Sequence, residues 1–351
     1  MNVKHTHRKK NHNIERRKEN KMGDDDKGTV CVTGATGYIA SWLIMKLLQH
    51  GYNVHATVRS HHFKENTNLE YLTSLPEATM KLKIFHANLD DSTSFQKAIQ
   101  GCIGVFHLAH PMDVQNQESE EIVTKRALEG TKGILKACLE SKTVKKVIYT
   151  SSATTVLFNG KNDLDMVDED VWSDIEICKS SNLVGSSYLV SKILTEKSIL
   201  EFGRVNGLEV VTLILPLVIG PFICPTIPSS VYIALAMIFG DHNRYEYLTI
   251  SYMVHIDDAI RALIFLFESE NANGRYICSS DQISFHQMYE FLHQKYPEYH
   301  ITIPISMETK NDEKFSVLSS KKLLDTGFKF KYNVADIYDG AIKCCKEKGI
   351  L

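Results

Sequence analysis

The sequence predicts an α/β fold built on a doubly wound parallel sheet, and three observations carry that prediction. From Thr29 onward, short apolar runs alternate with longer amphipathic ones, the order that parallel strands and crossover helices produce. Each apolar run is rich in Val and Ile, as strands buried on both faces must be. After Pro216 the proline frequency rises and the periodicity becomes mainly helical, which predicts a smaller, mostly C-terminal lobe closing over the carboxyl edge of the sheet.

Composition narrows the function classes before any motif is read. With 351 residues, 40 Lys and Arg, 42 Asp and Glu and a net charge of -2, the chain gives no electrostatic reason to bind nucleic acid. No apolar run approaches a membrane span, and the N-terminus lacks the apolar centre of a secretion signal, so a cytoplasmic location is expected. Eight cysteines without C-x-x-C spacing read as free thiols in a reducing compartment, with no metal site. Nothing requires an oligomer.

The elements follow in chain order. Residues 1–27 form a basic tail expected to be disordered, and Met22 is an alternative start. The first strand, TVCVT, runs into TGATGYIA, where Gly34 and Gly37 allow a tight turn and the next helix offers free N–H groups to an anion. This is the strand-turn-helix context of a dinucleotide-binding motif, so Thr36, Tyr38 and Ile39 join the candidate cofactor residues and the sheet is expected to be Rossmann-type. Ala40 stands where a third glycine is common. The second strand, YNVHATV, leads to Arg59, with no Asp or Glu between His55 and Phe63 to take a ribose hydroxyl. Arg59, assisted by Lys64, therefore suits a 2′-phosphate; a charge-assisted bond of about 1.5–3 kcal/mol would favour NADPH by roughly ten- to a hundredfold. After the third strand, LKIFHA, Asn88 and Leu89 border the adenine. After the fourth, GVFHLA, come Leu108, Ala109 and His110.

The fifth strand, KKVIYTSS, ends at Ser151 and Ser152, and its carboxyl end opens onto the cofactor crevice. The following helix carries Tyr188 and Lys192, four apart and so on one face, where an ammonium lowers the pKa of a phenol. A hydroxyl, a phenol and an ammonium thus converge where a hydride would leave. The sixth strand, EVVTLIL, ends at Pro216 and Val218, again on the cofactor side. The expected organisation is an NADP-binding unit over 28–220 and a lobe over 221–351 with segments that return to the first unit.

Together TGATGYIA, YTSSA, YLVSK, ILPLVIGPF and VHIDDAIRA resemble the extended short-chain dehydrogenase/reductases, in particular the plant dihydroflavonol 4-reductase branch. The resemblance covers about residues 28 to 351, including GRYICSS, KYPEY, GFKFKY and CCKEKGIL, and EEIVTKRALEG, FNGK, VVTLILP and CCKEKG resemble segments of the branch's vestitone reductases. It implies NADP(H), a catalytic set of Ser152, Tyr188 and Lys192, and a small aromatic or alkaloid substrate with a ring ketone. Leu157 lies where dihydroflavonol reductases carry a substrate-gripping Asn, and Tyr252 where they carry Gln, so a more apolar pocket is implied. Rival readings are an NADP-binding protein without catalysis and an epimerase, the latter disfavoured by Arg59.

Other candidates read as structural. His107 and His110 flank a strand end without a third metal ligand, His107 as a core residue and His110 at the cofactor edge, where relatives commonly have Thr or Ser. Asp257 and Asp258 read as helix-start residues, with His255 structural beside them.

Overall fold

The structure is a computed structural model and describes residues 26–59, 69–111, 118–160, 165–180, 186–248, 250–303 and 316–351. All six apolar runs form strands: β1 (Thr29–Thr33), β2 (Asn53–Val58), β3 (Leu82–His86), β4 (Gly104–His107), β5 (Lys146–Ser152) and β7 (Glu209–Leu215). The short strand β6 (Met166–Val167) lies between the last two, and β8 (Leu217–Ile219), β9 (Ile250–His255), β10 (Gly274–Ile277), β11 (Asp281–Ser284) and β12 (Val317–Leu318) follow. Six longer helices are α1 (Tyr38–Gln49), α2 (Glu120–Ser141), α3 (Ser186–Asn206), α4 (Ile256–Glu268), α5 (Phe285–Lys295) and α6 (Val334–Glu347).

The main sheet has the order β10-β7-β5-β4-β1-β2-β3, and every neighbouring pair is parallel. The order reverses between β1 and β4, which makes their carboxyl ends the place where a ligand crevice opens. One core, including Leu43, Ile44, Leu47, Ile260 and Leu263, joins α1 and α4 to one face of the sheet. A second, including Ile134, Leu135, Cys138 and Ile199, joins α2 and α3 to the other. Burial on both faces is the physical reason the strands are continuously apolar.

A separate core around Val231, Met237, Phe285, Leu292, Tyr338 and Ile342 belongs to the later part of the chain, which carries a three-stranded sheet of order β11-β9-β8. β6 and β12 pair as a small parallel ladder. The eight cysteines are buried and none forms a disulfide. Among the described residues, no helix is long and apolar enough to cross a membrane, and no His, Cys, Asp and Glu group is arranged to hold a metal.

Candidate active site

The crevice begins with a backbone that only glycine can supply. Gly34 has φ +74°, and a Cβ there would stand 3.0 Å from the Ala109 Cα, so the ends of β1 and β4 meet almost backbone to backbone. Gly37 precedes α1 in an extended conformation with no side chain capping the helix and no acidic residue in its first turn. The first N–H groups of α1 are thereby left for an anion, and the cradle fits the pyrophosphate of a dinucleotide. Gly34→Ala is expected to strain this turn by about 1–2 kcal/mol and to weaken dinucleotide binding by roughly tenfold. Calorimetric titration reads this, and undiminished affinity would take the turn out of the binding site.

A buried network holds the facing wall. The Leu108 and Ala109 N–H groups donate to Thr33 Oγ1 at 3.1 and 3.0 Å, and Thr33 Oγ1 lies 3.0 Å from His107 Nδ1. His107 Nε2 meets Thr131 Oγ1 at 3.0 Å. Burial first, then the Lys192 charge, lowers His107 to a pKa of about 3. It is a neutral strut between β4 and α2.

Across the crevice, α3 places Tyr188 and Lys192 on one face, and the Tyr188 hydroxyl is hydrogen-bonded to Ser152 at the end of β5. Lys192 Nζ donates to the Thr150 carbonyl at 2.8 Å and to the Tyr149 hydroxyl at 3.4 Å. It also lies 5.9 Å from the Tyr188 ring centroid. Burial pulls Lys192 down to about 7 against the opposing pull of Glu196. Burial also raises Tyr188 above the ordinary phenol range, with the Ser152 hydrogen bond opposing it. From the helical spacing alone, Lys192 is expected to bring the phenol down. In this protein burial sets the direction, opposed by the Ser152 hydrogen bond, and Tyr188 stays a neutral acid.

The profile of the NAD dependent epimerase/dehydratase family matches residues 30–278, well over half of the chain. The chain belongs to that family. Vestitone reductase of Medicago sativa is 47% identical over 327 residues, covering 93% of this chain and 99% of its own. Its crystal structure superposes with a TM-score of 0.81 at 46% identity, covering 93% of this chain and all of that one. Protein BRI1-5 ENHANCED 1 of Arabidopsis thaliana is 51% identical over 332 residues, covering 93% of this chain and 91% of its own. These likenesses place this epimerase/dehydratase member among the extended short-chain dehydrogenase/reductases, oxidoreductases of carbonyl and hydroxyl groups.

Within this family member, the remaining residues expected from the sequence fall unevenly around the crevice. Arg59 is exposed just past β2 and has no hydrogen-bond or ion-pair partner among the described residues. Lys64 lies outside the described residues. Thr36 is half-buried in the glycine turn. The Tyr38 ring turns away and packs edge-on against Phe222 at 6.5 Å, so only its backbone faces the cradle. Ile39 packs toward the first core and Leu89 toward the second. The Asn88 amide oxygen accepts the Asp90 N–H at 3.3 Å, a local turn bond. Val218 is a core side chain, whereas Pro216 is half-buried.

Leu157 and Tyr252 meet in one apolar cluster with Val156, Ile214 and Leu318. The Tyr252 hydroxyl donates to the Ser316 carbonyl at 2.7 Å. It ties β9 to the segment leading into β12 and is not a free polar group. Asp257 and Asp258 diverge as expected. Asp257 takes Lys46 at 2.8 Å and the Trp42 indole at 3.2 Å, and Asp258 takes the Lys331 and Tyr332 N–H groups at 2.9 and 3.1 Å. His255 Nδ1 caps α4 by accepting the Asp257 N–H.

Sequence reasoning missed the ion pair that Glu196 of α3 makes with Arg275. Glu196, fully buried one turn past Lys192, accepts from Ser151 at 2.7 Å, Thr212 at 2.6 Å and Arg275 Nε at 3.1 Å. Arg275 on β10 also donates to the Glu169 and Val171 carbonyls at 2.7 Å each and stacks 3.5 Å over Trp172. One ion pair thus joins α3, β5, β7 and β10 beside Ser152. The available signal was a carboxylate at i+4 from Lys192, on the same face of the helix.

Proposed function

We propose that this chain is an NADPH-dependent reductase of a ring ketone on a plant-type specialised metabolite, with an isoflavanone of the vestitone kind as its first candidate substrate. The observation that carries the reading is the Tyr188 hydroxyl, bonded to Ser152 and kept protonated by burial, with Lys192 beneath it. A protonated phenol is the acid that carbonyl reduction needs.

Bound NADPH supplies the hydride. Tyr188 donates its proton to the carbonyl oxygen as charge develops there, and Ser152 turns its hydroxyl from the phenol to the same oxygen and steadies it. Lys192, anchored on the Thr150 carbonyl, stands under the phenol to offset negative charge after the proton has left and to hold the nicotinamide ribose. Gly34 to Ile39, Leu108 to His110 on the facing wall, Asn88 and Leu89 at the adenine side, and Pro216 and Val218 beyond β7 would hold the cofactor. Arg59, with Lys64, takes the 2′-phosphate. Leu157 and Tyr252 form an apolar wall that suits a fused aromatic ring better than a polyhydroxylated one. The organisation into an NADP unit over 28–220 and a substrate lobe after it, and a cytoplasmic location, belong to the same reading.

Arg59→Ala is expected to lower the preference for NADPH over NADH by roughly ten- to a hundredfold. The ratio of kcat/KM values for the two cofactors reads it, and an unchanged ratio would place the phosphate elsewhere. The reading as a whole is tested by NADPH consumption on isoflavanone, dihydroflavonol and simple aryl ketones, with Tyr188→Phe as the blank. Isoflavanone turnover supports it. Turnover of dihydroflavonols alone moves the substrate, and activity only from an alkaloid alcohol or hemiacetal with NADP reverses the direction. Binding of NADPH without any turnover would make the chain a cofactor-binding protein instead.

A further inference from the structure

We propose that His110 is a specificity-determining residue, its Nδ1 lone pair accepting a hydrogen bond from a substrate hydroxyl that lies within a few bonds of the reacting carbonyl. The inference deepens the reductase reading above and rests on it.

The tautomer follows from counting hydrogens. His110 Nε2 lies 2.9 Å from Ser191 Oγ, and Ser191 Oγ donates to the Tyr188 carbonyl oxygen at 2.9 Å. A hydroxyl carries one hydrogen; with that hydrogen on the Tyr188 carbonyl, Ser191 accepts from the imidazole and Nε2 bears the N–H. Nδ1 is then an acceptor, and it has no partner among the described residues. Burial, and after it the Lys192 charge, holds His110 well below the ordinary imidazole pKa, so the ring stays neutral and Nδ1 stays a lone pair at working pH.

Position makes that lone pair useful. The imidazole meets the Tyr188 ring edge-on, with centroids 5.4 Å apart, at the carboxyl end of β4. Two contacts, one to the helix that carries the acid and one to the acid's own ring, fix the imidazole relative to the point where a carbonyl would be protonated. A partly exposed, rigid, neutral acceptor beside the acid discriminates between ligands by rewarding a donor and leaving an unmatched group when the donor is missing. The matching ligand group is a phenol or alcohol O–H close to the ketone, such as an ortho hydroxyl on the pendant ring of an isoflavanone.

The test uses the full chain and two isoflavanones that differ only in that ortho hydroxyl. The wild type is expected to favour the hydroxylated ketone by about tenfold in kcat/KM, chiefly through KM. His110→Phe keeps a flat ring against Tyr188 and removes the acceptor, and it is expected to bring the ratio to about one; His110→Asn, which retains an acceptor oxygen, is expected to recover part of it. Equal use of both ketones by the wild type, or a ratio that survives His110→Phe, would overturn the proposal. A surviving ratio together with weaker NADPH binding would assign the imidazole to the cofactor. The same ratio measured as dissociation constants in the Tyr188→Phe background tests His110 without turnover, so its loss or survival is separable from the fate of the reductase reading.

Discussion

Tyr188→Phe is expected to lower ketone turnover by roughly 10²–10⁴-fold while leaving the NADPH dissociation constant within about twofold of the wild type. The substitution removes one oxygen, the atom that bonds Ser152, and leaves the ring that packs against His110 and stands over Lys192. The glycine turn at Gly34 lies between β1 and α1 and loses no contact of its own. Stopped-flow reduction and fluorescence titration of NADPH read the two quantities separately. Turnover that survived the change would show that another group protonates the carbonyl, and the role given to Tyr188 would be wrong.

Glu196→Gln is expected to cost about 3–5 kcal/mol of stability, because it leaves the Arg275 guanidinium buried without its counter-charge. Two further partners, Ser151 and Thr212, lose a charged acceptor at the same time. Replacing the pair together by apolar residues, Glu196→Met with Arg275→Leu, is expected to regain a large part of that loss, since the desolvation of both ions disappears. Urea unfolding of the two variants measures the difference. If the single variant lost less than about 1 kcal/mol, the pair would be a marginal contact and the site beside Ser152 would be held by other means.

Six strands were legible because burial on both faces forces continuous apolar runs, and the glycine turn was legible because a close backbone approach excludes a Cβ. β10 was not, since it has four residues and a charged Arg275 in second place, which reads as lobe until Glu196 is seen opposite. Tyr38 and Tyr252 show a different limit. A position in a motif does not say where a long side chain turns, and these two pack into cores or bond a backbone carbonyl. The spacing of Tyr188 and Lys192 puts both on one face of α3, as helical periodicity requires, but the direction of the phenol's shift was not legible, because desolvation depends on which distant side chains pack around the ring.

The seventh strand of the main sheet has a consequence for synthesis. β7 is flanked on one side by β5 and on the other only by β10, which lies beyond β8, β9 and α4 in the chain. While the polypeptide is being made, β7 therefore remains an open hydrogen-bonding edge, and the Glu196 carboxylate lacks its guanidinium, until Ile277 has emerged from the ribosome. β7 gains its second neighbour only after β8, β9 and α4 have been made. An interrupted chain would carry the Gly34 turn and the Tyr188 helix and yet present a sticky, charge-strained intermediate, which ties quality control of this protein to the completion of its C-terminal third.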